Sequence, residues 1–379
     1  MKFDDFPRAI QNINFFKLIL FVAILLAVIL FIFIDPRSLD ASDFMLVAWN
    51  PGQSLLQTGS VYADYPYPLW TVVVMLPFTI WSPTVSMLLW FICNLFMLAA
   101  SLVLLIRLFE WNVSPIFFVT IVLLSGYFLP VLTSLWLGQL TIFSLLILLL
   151  TAYMFKAQRW GWVGIMLGLS FIKPQVMILL AGLLLLWALW QRRWKVLLGF
   201  GAVIIFLTLI SLPFITSPGQ IIGGGISSHL ATYIQKTSTL WGLFLNLGTS
   251  WLVPLTISLA LMAWLGLIWL PFLRGKEMSS KRMLFLFSAA TLVNLMAIPY
   301  SWMHNLTLLL LPLGYSLSLA LKVKSSARSV WLTLLFVIMH PLMFGLFVAF
   351  SKFDHTQAYQ IISALALLPI MIFLESQTT

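Results

Sequence analysis

Apolar runs of about 17 to 23 residues follow one another along the chain, and the charged residues collect in the short connections between them. Runs of that length cover a hydrocarbon layer of ~30 Å as α-helices, and only helices or closed barrels satisfy their backbone groups there. The pattern predicts an all-α polytopic membrane protein with about twelve transmembrane helices, at 16–34, 84–106, 115–134, 139–155, 160–172, 174–190, 196–214, 250–272, 283–299, 305–321, 330–350 and 360–374. The first run is as long as a span and has no small-residue cleavage site behind it, so it reads as a helix and not as a removable targeting segment.

Three stretches depart from the simple repeat. The run "WTVVVMLPFTIW" (Trp70–Trp81) is only about 18 Å long as a helix, too short to cross, and is expected to dip into the outer leaflet and return. The segment Trp160–Trp190 is about 46 Å long, too long for one span, so it must go out and come back. Its break is "FIKPQ", where Pro174 cannot continue a helix and Lys173 cannot rest in lipid, and two short helices are expected to meet there at an outward-facing cavity. The connection 215–250, with the triple glycine 223–225, His229 and Lys236, is long enough for a structured loop.

Composition agrees: 62% of the 379 residues are hydrophobic, 8% are charged, and the mean hydropathy is +1.08. No soluble core hides that much apolar surface. The net charge of +10 does not point to nucleic acid, because the cations form short clusters between apolar runs and no basic stripe. Under the positive-inside tendency those clusters are cytoplasmic, which places 16 of the 20 basic residues inside and leaves Arg37, Lys173, Lys236 and Lys352 outside. Both termini are then cytoplasmic. Cys93 stands alone in an apolar run as a small hydrophobe. No internal repeat appears, and residues 1–379 read as one domain.

That topology puts Asp35, Asp40, Asp43 and Asp64, four of the ten acids, on the first outer loop, 35–81. Most loop acids merely solvate the loop. Asp43 differs because it opens the apolar run "FMLVAW" and so begins an amphipathic stretch at the membrane surface, where a carboxylate can face a cavity. Lys173 lies between apolar flanks, where a cation usually marks a site; the competing reading is snorkelling to the interface. His304 stands beside Tyr300 and Trp302 at a helix end, equally compatible with an interfacial aromatic belt. There is no metal-ligand spacing, no nucleotide loop and no serine-nucleophile elbow, so neither a metal nor a soluble cofactor is expected.

The ordered elements Asp43-Phe44, "LLQTGSVYADYPYPL" (55–69), "LGQLTIF" (137–143), "FIKPQ" (171–175), "TSTLWGLF" (237–244) and "IPYSWMHNLTLLLLP" (298–312) together resemble glycosyltransferase family 87. The resemblance covers most of residues 16–320. It implies a GT-C-like fold with a catalytic first extracytoplasmic loop and an inverting transfer of a hexose, mannose above all, from a polyprenyl-phosphate sugar to a glycolipid or other envelope glycan. Carried over by position, it implies Asp43 as base, Lys173 and His304 at the donor phosphate, and Gln139, Tyr67 and Trp302 at the substrates. The chain departs from the family pattern in three places. Thr141 follows Gly138-Gln139 where Asn is frequent, Thr237 stands where an Asn-Gln-Ser-Leu pattern often begins, and Asn305 replaces a second histidine. A polytopic transporter or lipid flippase is the alternative, opposed by the missing repeat symmetry and by the absence of an acid within a span.

Overall fold

A computed structural model of the chain describes residues 43–61, 65–111, 115–215, 226–275, 278–323, 325–350 and 356–378. The expected first span 16–34, Asp35, Asp40, Asp64, the triple glycine 223–225, Asp354 and His355 lie outside the described residues. Within them, every regular element is helical.

After a π-helical turn, Met45–Trp49, come α1 (Asn50–Thr58), α2 (Leu69–Met75), α3 (Pro83–Leu108), α4 (Pro115–Gly126), α5 (Leu129–Trp136) and α6 (Thr141–Lys156). The middle of the chain forms α7 (Trp160–Ser170), α8 (Ile178–Trp190), α9 (Trp194–Ser211), α10 (Ile226–Tyr233), α11 (Leu240–Asn246) and α12 (Leu252–Leu273). The remainder is α13 (Ser280–Ala297), a 3-10 stretch Met303–Leu309 running into α14 (Leu310–Ala320), α15 (Ser325–Val337), α16 (Met343–Phe350) and α17 (Ile362–Thr378). Six helical stretches are long and apolar enough to cross a membrane by length and composition: 83–108, 194–214, 252–273, 303–320, 327–350 and 357–377. Four shorter apolar helices of 10–17 residues lie where the short run 70–81 and the spans 139–155, 160–172 and 174–190 are expected: α2 with its 3-10 extension to Phe78, α6, α7 and α8, each below the length of a full span.

The core runs along α13, buried from Met283 to Ala297, and along α14, buried over most of its length. Around them stand α3, α6 and α8. Helices α9 and α12 present large apolar side chains outward, Leu198 and Leu267 among the most exposed. That is the distribution of helices that face lipid on one side.

One expected span is broken and another is locally distorted. The run 115–134 divides at Tyr127 and Phe128, because Pro130 fits the first turn of a new helix and not the middle of an old one. The run 330–350 contains a π turn, Ile338–Leu342, that accommodates Pro341.

The segment 160–190 does turn back on itself. Trp160, opening α7, lies against Trp187 near the end of α8, ring centres 5.4 Å apart, so both ends of the hairpin share one level. At 11 and 13 residues the helices are about 16 and 20 Å long, which sets their junction below the far membrane surface. Helix α7 also packs backbone to backbone on α9. A Cβ on Gly164 would stand 2.0 Å from the Val196 carbonyl oxygen, and one on Gly199 would stand 2.4 Å from that of Gly161. Without a hydrophobic drive between helices in lipid, such close approach of small residues supplies the packing.

Candidate active site

Breaking a helix inside a membrane leaves carbonyls and amides that must be paired internally. At the Lys173-Pro174 junction three side chains do this. Trp70 Nε1 donates to the Phe171 carbonyl at 2.9 Å and Thr71 Oγ1 to that of Ile172 at 2.8 Å, so α2 closes the end of α7. From α13, Asn294 donates through Nδ2 to the Gln175 carbonyl at 2.9 Å, while its Oδ1 accepts the Leu179 N–H at 3.0 Å. The short helix α2 thus caps the Lys-Pro break, and the break is a fixed structure.

A second turn brings the acid to this place. Helix α5 ends in "LGQLT", where Gly138 adopts φ +65°, a left-handed conformation that costs a residue with a Cβ but not glycine. Phe44 lies over it, so close that a Cβ on Gly138 would meet the Phe44 Cβ at 2.7 Å. The Phe44 N–H donates to the Leu137 carbonyl at 2.9 Å, and Trp90 Nε1 donates to that of Gly138 at 2.7 Å. The start of the loop is clamped onto the turn, and Asp43 comes to face Gln139.

From there the polar contacts run in one direction. Gln139 Nε2 donates to Asp43 Oδ2. Lys173 Nζ donates to Gln139 Oε1 at 3.0 Å and to Thr141 Oγ1 at 2.8 Å. Thr141 donates onward to Asn305 Oδ1 at 3.0 Å, and Asn305 Nδ2 donates to Ser301 Oγ at 3.2 Å. An ammonium only donates, so it fixes both strings: it turns the Gln139 oxygen toward itself and the Gln139 N–H groups toward Asp43, and it makes Thr141 a donor to Asn305. Burial pushes the Asp43 carboxyl above the usual range, while the Gln139 hydrogen bond and the Lys173 charge draw it part of the way back.

Asp43 opens into a cavity of about 510 Å³ lined also by Tyr67, Gln139, Tyr233, Tyr300, Trp302 and His304. It is the one carboxylate among the described lining residues. His304 is held by its backbone, the carbonyl accepting from Ser134 Oγ at 3.1 Å, and its buried Nε2 has no hydrogen-bond partner among the described residues. An unpartnered ring nitrogen beside a polar cavity suits a ligand atom. Trp302 packs against Tyr233 and Tyr300, ring centres 5.8 and 6.1 Å away, and makes an aromatic wall. Tyr67 is hydrogen-bonded to Gln175 of the Lys-Pro break, and its hydroxyl is pushed up, first by burial and then by Tyr300 and Asp43.

All six site residues expected from the sequence therefore converge. Lys173 differs from expectation in one respect: it is 1% exposed, lies behind Gln139 and does not line the cavity. Its charge reaches the cavity through the Gln139 amide. The sequence reading missed Tyr233 and Gln357, which line the cavity from distant segments, and Asn294, Trp70 and Thr71, which hold the break. Of these, only Asn294 carried a signal, as a lone amide in an apolar run. Among the described residues no cluster of His, Cys, Asp or Glu has the arrangement of a metal site.

A search among curated proteins and among solved structures finds no match to this chain. The family model for glycosyltransferase family 87 matches residues 65–299, a stretch that holds Tyr67, Gln139, Lys173 and Tyr233 and ends just before Tyr300, with Asp43 and His304 on either side of it. With its helices long and apolar enough to cross a membrane, and with more than half its length inside the family match, the chain belongs to glycosyltransferase family 87 and is a membrane glycosyltransferase.

Proposed function

We propose that this enzyme transfers a hexose, mannose in the first instance, from a polyprenyl-phosphate donor to a hydroxyl of a glycolipid or other envelope glycan, on the extracytoplasmic side and with inversion. The observation that carries this reading is Asp43, the one carboxylate among the described lining residues of the cavity, held ready by an amide and a buried cation. A glycoside hydrolase needs a second carboxyl group to protonate a poor leaving group. A phosphate leaves without one when positive charge or hydrogen-bond donors receive it.

Asp43 takes the proton from the acceptor O–H, the acceptor oxygen attacks the anomeric carbon, and the bond from that carbon to the phosphate oxygen breaks with its electron pair going to the phosphate. Gln139 leaves one Asp43 oxygen for the acceptor by occupying the other. His304 Nε2 receives the phosphate, and the Lys173 charge favours the phosphate without touching it. The aromatic wall of Tyr233, Tyr300 and Trp302 offers flat apolar faces to a sugar ring. Ile80 and Trp81, exposed just after α2, offer the polyprenyl chain an apolar approach from the bilayer.

The test is to incubate purified protein with membrane lipid extract and radiolabelled polyprenyl-phosphate mannose, the glucose and pentose analogues, and nucleotide sugars. Label is expected to move from one polyprenyl-phosphate sugar to an acceptor, and Asp43→Asn is expected to reduce the rate by ~10²–10⁴ with its unfolding temperature unchanged. Transfer from a nucleotide sugar in the absence of any polyprenyl phosphate overturns the donor assignment. Parent-like turnover by Asp43→Asn overturns the base.

A further inference from the structure

A second polar cavity, of about 330 Å³, lies at the other end of the α7–α8 hairpin from Lys173, under Trp160 and Trp187. Its polar lining is Lys156, Gln158, Gln191, Arg193 and Ser280, with no acid among the described lining residues. We infer that it holds the headgroup of an anionic phospholipid, a phosphodiester with neighbouring hydroxyls as in phosphatidylglycerol.

The electrostatics are the first support. Cations ordinarily settle at helix C-termini, where they oppose the macrodipole. Here Arg159 and Arg193 occupy the residues just before α7 and α9, and Lys281 and Arg282 stand in the first turn of α13. Trp160 and Ser280, the first residues of α7 and α13, line the cavity; Lys156 is paired with Glu110 at 2.6 Å and Lys281 with Glu375 at 3.6 Å, so the positive charge that sums there is that of Arg159, Arg193 and the two helix starts. An anion relieves that sum. Arg193 has no carboxylate partner among the described residues, and its guanidinium lies across the Trp160 ring, 5.0 Å from the centre. Stacking uses the face of the guanidinium and leaves its N–H edge for a phosphate.

The second support is that the site suits more than a bare anion. Gln191 Nε2 donates to the Phe272 and Leu273 carbonyls at 3.3 and 3.0 Å, which commits its Oε1 as an acceptor for a hydroxyl. The cavity is much larger than a phosphate. Next to it, Leu186, Leu189, Trp190 and Trp194 are exposed on α8 and α9, apolar surface for acyl chains with tryptophans at headgroup level. Basic pockets between helices with such flanks take phosphorylated headgroups.

The test uses the full chain in a neutral detergent, with phosphatidylglycerol, phosphatidylcholine or inorganic phosphate added, reading the unfolding temperature and the bound lipid by native mass spectrometry. Phosphatidylglycerol at saturation is expected to raise the unfolding temperature by about 5 °C over phosphatidylcholine, with one lipid retained per chain. Arg193→Gln is expected to weaken its binding at least ~10-fold, because a charge-assisted contact is lost. Lys195→Gln, equally cationic but outside the cavity, is expected to change it less than ~3-fold. Equal protection by phosphatidylcholine or by inorganic phosphate overturns the proposal. So does an equal loss in both variants, which signifies a diffuse positive surface instead of a site.

Discussion

Gln139 is the residue at which fold and chemistry can be separated, because its two ends face opposite demands: its oxygen faces a buried ammonium and its N–H a half-buried carboxylate. Gln139→Leu removes both partners. Lys173, 1% exposed, keeps only Thr141 as an acceptor, and a buried cation stripped of a partner costs about 3–5 kcal/mol. Gln139→Glu keeps an oxygen toward Lys173, in fact a better one, so the fold survives. Toward Asp43 it replaces a donor with a second carboxylate at hydrogen-bond distance. Two such groups do not both ionise, one holds the shared proton near neutrality, and Asp43 is no longer a free base. Turnover is expected to fall by at least ~100-fold at neutral pH in Gln139→Glu while the unfolding temperature stays within a few degrees of the parent.

The double variant Gln139→Leu/Lys173→Met closes the cycle. It removes the buried charge together with its partner, and a buried ion replaced by apolar volume is close to neutral for stability. Its unfolding temperature is expected to return most of the way to the parent, a coupling of at least about 2 kcal/mol, while activity stays low. Thermal unfolding in detergent and initial rates of sugar transfer on the same preparations read the two effects. If Gln139→Glu unfolds as readily as Gln139→Leu, or turns over like the parent, or if the two single losses simply add in the double variant, the directional string from Lys173 through Gln139 to Asp43 is not what holds the base.

Three further outcomes follow from the same geometry. Because burial raises the Asp43 carboxyl and the base works ionised, activity is expected to be lost as pH falls through a value above that of an exposed aspartate, and Gln139→Leu, which removes a lowering contact, should move this acid limb of kcat/KM upward. Gly164→Ala should destabilise the fold by ~1–3 kcal/mol or more through overpacking, and so lower the unfolding temperature, since its Cβ meets the Val196 backbone and not a yielding side chain; an unchanged melting curve refutes the α7–α9 contact. Single cysteines at Lys236 and Lys195 in a Cys93→Ser background should be labelled by an impermeant reagent in intact cells at the first position only; labelling at Lys195 reverses the proposed sidedness.

Membrane spans were legible because twenty apolar residues in a row have few other uses, and the Lys-Pro break was legible because a charge and an imino acid both violate such a run. Interruptions marked by a proline with no charge beside it were not. Tyr127 and Phe128 are as apolar as a span, and Pro341 is tolerated in a π turn, so helical continuity there depends on neighbours that no local pattern records. The hairpin's closing contacts were hidden for the same reason: Asn294 serves residues 115 and 119 positions away. The site residues themselves were found by resemblance more than by pattern, and the pairing of Gln139 with Asp43 across 96 residues has no local signature at all.

Two of the three departures from the family pattern illustrate what pattern reading cannot weigh. Taken singly, Thr141 in place of Asn and Asn305 in place of a second histidine each look like the loss of a functional group. In the folded chain they are partners, the Thr141 hydroxyl donating to the Asn305 amide oxygen at 3.0 Å. The hydroxyl can fill that place because Lys173 already donates to it, which leaves its own hydrogen for one acceptor, and an amide supplies that acceptor whatever the pH whereas a protonated histidine does not. The buried cation thereby keeps two acceptors, Gln139 and Thr141, and the second string ends on Ser301 beside the aromatic wall. The two changes form one local arrangement around Lys173, so altering either alone strands the other.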